Sequence, residues 1–277
     1  MAEPPKPAPF ELEGAPALAG GEVGEGPPVV LLHGLTATRR YVVHGSVALA
    51  RRGRRMVLYD GRGHGSSQPA PEGGGYSYER LTDDLRRVIE QRCRGERPAL
   101  AGHSMGAHTA VALALSRSVE RGALVQICPA FMGDPPSDEG LASWDALADG
   151  LGRAGVDGFI EAYDRGLDPD WRETVLRITR ERLARHEHPE AVARALREVP
   201  RSMPFEGISE LEFVDLPTLV VASRDESDPG HPYAIAEEWA RRIPGAELIS
   251  EDPGSSPLAW QGGRLSRAIA EFLDRAG

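Results

Sequence analysis

Residues 100–109, "LAGHSMGAHT", contain the motif from which most of the fold prediction follows. It joins the end of an apolar run to Gly102, Ser104 and Gly106, and residues that favour a helix follow. Glycines on both sides of a serine permit a tight turn between a strand and a helix, and such a turn lifts the serine hydroxyl above a sheet. The stretch therefore predicts a buried strand, a strained turn at Ser104 and a helix.

Short apolar runs alternate with helical patterns along most of the chain. Strands are predicted within residues 27–34, 55–65, 98–104, 122–131, 216–225 and 245–252, and helices within 79–92, 105–117, 233–242 and 264–275. Such alternation is typical of a parallel sheet covered on both faces. The predicted fold class is α/β, with a mostly parallel central sheet and helices on both faces.

The alternation stops between residues 132 and 210, where helical patterns occur without a convincing strand. We expect residues 1–131 and 211–277 to form the core and residues 132–210 to form a helical cap. An insertion at this point would lie over the carboxyl ends of the strands, where ligands bind in such sheets. One predicted cap helix carries Val175, Leu176, Thr179 and Leu183 on one face, which leaves its arginines facing solvent.

Composition and charge limit the class of partner. The 277 residues are 40% hydrophobic and 27% charged, with a formal net charge of −10, which argues against nucleic acid or an anionic membrane as partner. No apolar run is long enough to span a bilayer, the first residues do not resemble a signal peptide, and only two cysteines occur. We therefore expect a cytoplasmic protein that acts on a small-molecule substrate. Assembly into a homo-oligomer stays open.

A second motif, "LLHGLTAT" at residues 31–38, closes the first strong strand. A loop at this position can direct backbone N–H groups at the oxygen that becomes negative when a carbonyl is attacked. We predict that Leu35 and Met105 supply these two N–H groups, as an oxyanion hole. His33, directly before the tight turn, is expected to brace the loop through backbone hydrogen bonds.

Together, "HGLT", "YDGRGHGSS", "GHSMGA", "DPGHP" and "LSRAIAEFL" resemble the α/β-hydrolase family from about residue 27 onwards. The resemblance implies a packing role for Asp60, Arg62 and His64. It also implies a catalytic acid after the strand that follows the cap. There "LVVASRDESDPGHP" offers Asp228 at the head of a DPxxP pattern, with Asp225 as the alternative acid.

The resemblance further implies a catalytic histidine ahead of the final helix, and this residue is missing. In "EDPGSSPLAWQGGRLSRAIAEFL", residues 251–273, Ser255 stands at the expected base position, and no histidine follows His231. His231 is the favoured substitute because it lies three residues after Asp228. His108 is closer to Ser104 in sequence but is expected to be a core or helix-surface residue. The weaker alternatives are His103, His44, His186 and His188, the last two expected at the cap surface.

The predicted function is that of a serine hydrolase acting on a small carboxylic ester or related acyl substrate through Ser104, Asp228 and His231. The alternative is a catalytically degenerate or non-hydrolytic homologue, such as a lyase or cyclase or a protein that binds a small ligand. No cofactor and no metal is expected. His186 and His188 resemble a metal-binding pair, but positions i and i+2 of a helix point in different directions.

Overall fold

The computed structural model describes residues 5–165, 167, 169–224, 228, 230–252, 260 and 262–276. Over these residues the chain forms an eight-stranded sheet with the strand order β1-β2-β4-β3-β5-β6-β7-β8. The strands are β1 Ala8–Leu12, β2 Leu18–Val23, β3 Pro28–Leu32, β4 Arg55–Tyr59, β5 Ala99–His103, β6 Leu124–Ile127, β7 Thr218–Val221 and β8 Glu247–Ile249. Strands β3 to β8 are parallel, which confirms the predicted mostly parallel sheet.

Helices cover both faces of this sheet. They are α1 Ala48–Arg51, α2 Tyr78–Arg92, α3 Met105–Ser116, α4 Asp138–Tyr163, α5 Arg172–Leu183, α6 Pro189–Glu198, α7 Tyr233–Arg242 and α8 Gly262–Ala276. Because side chains of a strand alternate between faces, Val30 and Leu32 of β3 pack with α2, α3 and α7. Val29 and Leu31 pack on the opposite face with α1 and α8.

The first two strands, β1 and β2, were not expected from the sequence. They pair antiparallel with each other, and β2 pairs antiparallel with β4. Strand β2 contains Gly20 and Gly21, and glycine is depleted in strands, so the pattern was weak. A Cβ at position 20 would lie 2.1 Å from the Phe10 ring, so the aromatic ring of β1 occupies the space left by this glycine.

We use the name cap segment for residues 132–210, which contains α4, α5 and α6. Helices α4 and α6 pack against each other, and α4 bends at Gly155, which has φ of 60°. Buried apolar side chains of α4, α5 and α6 form one cluster with Leu35 and Met105. The residues predicted to frame the oxyanion hole thus contact the same apolar layer as the cap segment. In the described part of the chain, no helix is long and apolar enough to cross a membrane.

Candidate active site

Ser104 is the turn residue between β5 and α3, as the sequence predicted. Its backbone has φ 51° and ψ −117°, an uncommon conformation for a residue with a side chain. Its N–H donates to Ile127 O at 2.9 Å, and its carbonyl accepts from His108 N at 3.0 Å, so neighbouring elements hold the turn. Strain of this kind persists only where the surroundings impose it, and it occurs most often at functional sites.

The two glycines of the motif make this turn sterically feasible. A Cβ at Gly102 would lie 2.2 Å from Gly106 O, and a Cβ at Gly106 would lie 2.4 Å from Leu32 O. Both distances are far shorter than any van der Waals contact. The close approach of α3 to β3 and β5 therefore requires glycine at both positions, and it places the first turn of α3 directly behind Ser104.

The loop after β3 lies beside the serine and is held by His33. The His33 Nε2 accepts from Gly61 N at 2.8 Å, so its Nδ1 carries the proton and donates to Gly34 O at 2.8 Å. Gly34 O also accepts from Ala37 N at 3.0 Å. Because N–H and C=O of a trans peptide point in opposite directions, the Leu35 N–H is directed away from these donors.

This loop approaches Ser104 closely. A Cβ at Gly34 would lie 3.5 Å from the Ser104 Cβ and 2.9 Å from His103 Nδ1, so a larger residue would collide with the turn. The ring of His64 lies with its Nε2 2.6 Å from Leu35 O, which fixes the next peptide as well. The orientation of the Leu35 peptide is therefore determined by two buried histidines.

Asp60, Arg62 and His64 are buried and bonded to the scaffold. Asp60 accepts from the backbone N–H groups of Arg39 at 2.7 Å and Ser66 at 3.1 Å, and it forms an ion pair with the Arg39 side chain. Arg62 makes a two-point contact with Asp84 at 2.7 and 2.9 Å. These contacts agree with the packing role that the family resemblance implied.

Asp228 and His231 form a hydrogen-bonded pair in the loop before α7. Nδ1 of His231 lies 2.8 Å from Asp228 Oδ2, and the His231 N–H donates to Asp228 O at 3.1 Å. The two rings of His231 and His103 have centroids 5.3 Å apart. The predicted acid and the substitute base are therefore next to each other and next to the residue that precedes Ser104. Asp225 and Ser255 lie outside the described residues.

The charges around this pair favour an ionised carboxylate. Burial acts to raise the pKa of Asp228, but the hydrogen bond from His231 and the electrostatic interactions with His231, His103 and Arg182 outweigh burial and lower it. Burial lowers the pKa of His103 to about 3, with His231 adding to the effect. His103 is therefore neutral near pH 7, whereas Asp228 is ionised and can orient an imidazole.

His108 is engaged elsewhere. Its Nε2 accepts from Ala130 N at 2.9 Å, so Nδ1 carries the proton and donates to the Tyr78 hydroxyl at 2.8 Å. Burial lowers its pKa to about 3. As the sequence predicted, His108 is a core residue.

His186 is not at the cap surface, which corrects the sequence-based expectation. It is 9% exposed, its Nδ1 accepts from Gly65 N at 2.9 Å, and its Nε2 donates to Thr36 O at 3.2 Å. The helical argument for His186 and His188 is also wrong, because both lie between α5 and α6. No group of three or more histidine, cysteine or carboxylate side chains among the described residues could hold a metal ion. The absence of a metal requirement stays a prediction.

Arg182 is the residue that sequence reasoning missed. All arginines of this helix were expected to face solvent, but Arg182 is only partly exposed, and its Nε is buried without a hydrogen-bond partner among the described residues. Val175, Thr179 and Arg182 follow one another at spacings of four and three, so they share one face of α5. That spacing is the sequence signal for an inward-facing Arg182. It was overlooked because a charged side chain is normally expected to face solvent.

Residues 29–272 match the model of a family described as the alpha/beta hydrolase family. The chain is 40% identical over 107 residues to sn-1-specific diacylglycerol lipase ABHD11 of Mus musculus, which covers 37% of this chain and only 33% of that protein. It is 25% identical over 270 residues to the AB hydrolase superfamily protein YisY of Bacillus subtilis, covering 91% and 93% of the two chains. A malate-bound thermophilic esterase from Thermogutta terrifontis has a similar structure, with a TM-score of 0.78 and 25% identity over 97% and 99% of the chains.

Proposed function

This chain belongs to the alpha/beta hydrolase family, and we propose that it hydrolyses a small carboxylic ester or related acyl substrate through Ser104. The observations that carry the proposal are the strained Ser104 turn at the end of β5 and the hydrogen-bonded Asp228–His231 pair, whose imidazole lies against the ring of His103. The esterase and lipase named among the similar proteins support an acyl substrate.

In this proposal His231 is the general base. Its Nδ1–H donates to the ionised Asp228, so the lone pair of Nε2 remains to accept the Ser104 proton. The serine oxygen then bonds to the substrate carbonyl carbon, and the alcohol leaves with the proton that His231 returns. Water repeats the sequence on the acyl-enzyme and releases the acid, restoring Ser104.

Leu35 and Met105 are proposed to donate their N–H groups to the negatively charged oxygen of the tetrahedral intermediate. Support comes from the direction of the Leu35 N–H, opposite to the Gly34 carbonyl that His33 binds, and from the position of Met105 as the first residue of α3. The positive end of the helix dipole adds to this stabilisation. Removing one such donor costs on the order of 100-fold in rate.

The cap segment is proposed to close this site over the substrate, with residues 1–131 and 211–277 as the core. The apolar cluster that joins α4, α5 and α6 to Leu35 and Met105 supports this division. The family pattern has its catalytic histidine at the position of Ser255, so His231 is proposed to act as the base instead. In the competing version, proton transfer from Ser104 depends on a water molecule held by Ser255 and Asp228.

The test is turnover of a short-chain aryl ester by pure protein and four variants. We expect Ser104→Ala to abolish turnover and His231→Ala to lower it by at least about 100-fold, the scale of general-base catalysis. His188→Ala is the matched control, because this histidine is paired with Glu190 in the cap segment. Wild-type turnover with no loss in His231→Ala, but a gain in Ser255→His, would contradict the His231 assignment and indicate a degenerate site. No ester turnover at all would favour a non-hydrolytic or binding function.

A further inference from the structure

The side chain of Arg182 is a partly buried cation that has no acceptor among the residues that the structure describes. Its Nε is shielded from solvent and makes no hydrogen bond, and the side chain forms no ion pair within the part of the chain described. Burying an unpaired charge costs desolvation free energy. Arginine cannot avoid this cost by deprotonation, because its side chain stays protonated near pH 7. The position is therefore one at which an anionic partner would stabilise the protein.

Arg182 lies in the last turn of α5, and the segment that follows this helix contacts residues after β3 and β4. Arg185 Nε donates to the Tyr41 hydroxyl at 3.2 Å, and Glu187 N donates to Gly65 O at 2.9 Å. Leu183, the neighbouring residue, belongs to the apolar cluster that contains Leu35 and Met105. The end of α5 and the residues after it are therefore packed against the same part of the protein as Leu35 and Met105.

Arg182 and the proposed catalytic acid Asp228 interact electrostatically. Burial lowers its pKa, whereas Tyr163, Asp228 and Tyr41 raise it. The same guanidinium lowers the pKa of Asp228 and that of His103. Asp228 Oδ2 is hydrogen-bonded to His231, and no ion pair joins Asp228 to Arg182 among the described residues.

We propose that Arg182 is a binding residue for a carboxylate on the substrate, so that the substrate class is a carboxylate-bearing ester. The inference rests on the proposed hydrolase function. The guanidinium presents a planar set of donors that matches a carboxylate in two-point geometry. Asp228, a second anion close by, disfavours a dianionic phosphate at the same place.

The first test compares two aryl esters that differ only in charge, mono-4-nitrophenyl glutarate and 4-nitrophenyl valerate. We expect wild type to prefer the glutarate ester in kcat/KM. Arg182→Gln should lose that preference by about 10- to 100-fold, the range for a hydrogen bond to a charged group, with the valerate ester little affected. Arg182→Lys keeps the positive charge but lacks the planar set of donors. Its preference for the glutarate ester should lie between that of wild type and that of Arg182→Gln.

Arg177→Gln is the matched control, because Arg177 is an exposed residue of the same helix paired with Glu181. It should keep the wild-type preference. An equal loss on both esters in Arg182→Gln would show a structural role and overturn the proposal. The absence of any preference in wild type would overturn it as well.

A second test separates this proposal from the hydrolase proposal by measuring binding without turnover. Calorimetry should show glutarate binding to Ser104→Ala protein and about 10- to 100-fold weaker binding when Arg182→Gln is added. Glutarate binding without hydrolysis of any ester would leave the carboxylate subsite standing and refute the proposed function. No glutarate binding, or tighter binding of inorganic phosphate, would overturn the carboxylate assignment.

Discussion

At the scale of single residues, His33 connects two loops through a defined tautomer. One ring nitrogen accepts from Gly61 N and the other donates to Gly34 O, each at 2.8 Å. Burial holds the pKa of His33 well below its ordinary value, with the nearby His64 adding to the effect. A neutral ring with this proton position orients the peptide whose N–H is proposed to bind the oxyanion.

We predict that His33→Ala lowers kcat for an aryl ester by about 10- to 100-fold with a much smaller change in KM. The reason is that a misdirected Leu35 N–H weakens binding of the transition state more than binding of the substrate. Steady-state kinetics measures both constants, and His188→Ala is the control. An unchanged kcat in folded His33→Ala protein would show that the ring does not position the loop for catalysis.

Some site residues could be predicted from the sequence, and others could not. The family pattern indicated Asp228, and a spacing of three residues indicated His231 as its partner, and the structure has them hydrogen-bonded. The inward position of Arg182 could not be derived from its charge, because the tertiary contacts of α5 determine which face of that helix is buried. His186 was misplaced for the same reason, since its partners Gly65 and Thr36 are more than 100 positions away.

At the scale of elements, the β5–α3 turn depends on the close approach of α3 to β3. The carbonyl of Leu32 occupies the place that a side chain at position 106 would need. The first turn of α3 is buried, including Met105 and Gly106, so it cannot shift outwards without losing contacts. The geometry of the turn is therefore set by packing as well as by its own backbone.

We predict that Gly106→Ala destabilises the protein by about 1–3 kcal/mol, the typical cost of overpacking a core. Gly152→Ala is the control, because Gly152 is an exposed helical glycine with open space around it. It should stabilise the protein by up to about 1 kcal/mol, since alanine is the better helix residue. Urea denaturation measures both changes. Equal stability of Gly106→Ala and wild type would contradict the packing argument.

The parallel strands could be predicted because β3 to β7 are short apolar runs with turn residues after them. The glycine-rich β2 could not, because its strand conformation comes from pairing with β1 and β4 rather than from its composition. The helices of the cap segment were predicted as a group, but their bounds and the contacts of the α5–α6 connection with Thr36 and Gly65 depend on partners far away in sequence.

At the scale of the whole molecule, several histidines are buried in neutral form, and this links stability to pH. Burial lowers the pKa of His186 to about 3, with His64 and Arg182 also lowering it and the hydrogen bond to Thr36 O opposing them. The unfolded chain takes up this proton near the ordinary value of 6.5, so it binds more protons than the native state below that pH. Stability is therefore fully present above about pH 6.5 and falls as the pH drops towards 3.

We predict that wild type loses stability between pH 7 and pH 5 and that His186→Gln loses less. A single histidine that stays neutral in the native state contributes up to about 2 kcal/mol of this difference at pH 5. Urea denaturation at pH 5, 6, 7 and 8 gives the slopes for both proteins. Identical slopes would show that His186 takes up its proton in the native state.

The central claim, that Ser104 is a nucleophile activated by His231, is tested most directly by covalent labelling with a fluorophosphonate. The serine oxygen would bond to phosphorus, fluoride would leave, and His231 would take the serine proton. We expect one adduct by intact mass, located on Ser104 by peptide analysis, and labelling at least about 100-fold slower in His231→Ala, with His188→Ala unchanged. Absence of an adduct at Ser104, or labelling of His231→Ala at the wild-type rate, would contradict it.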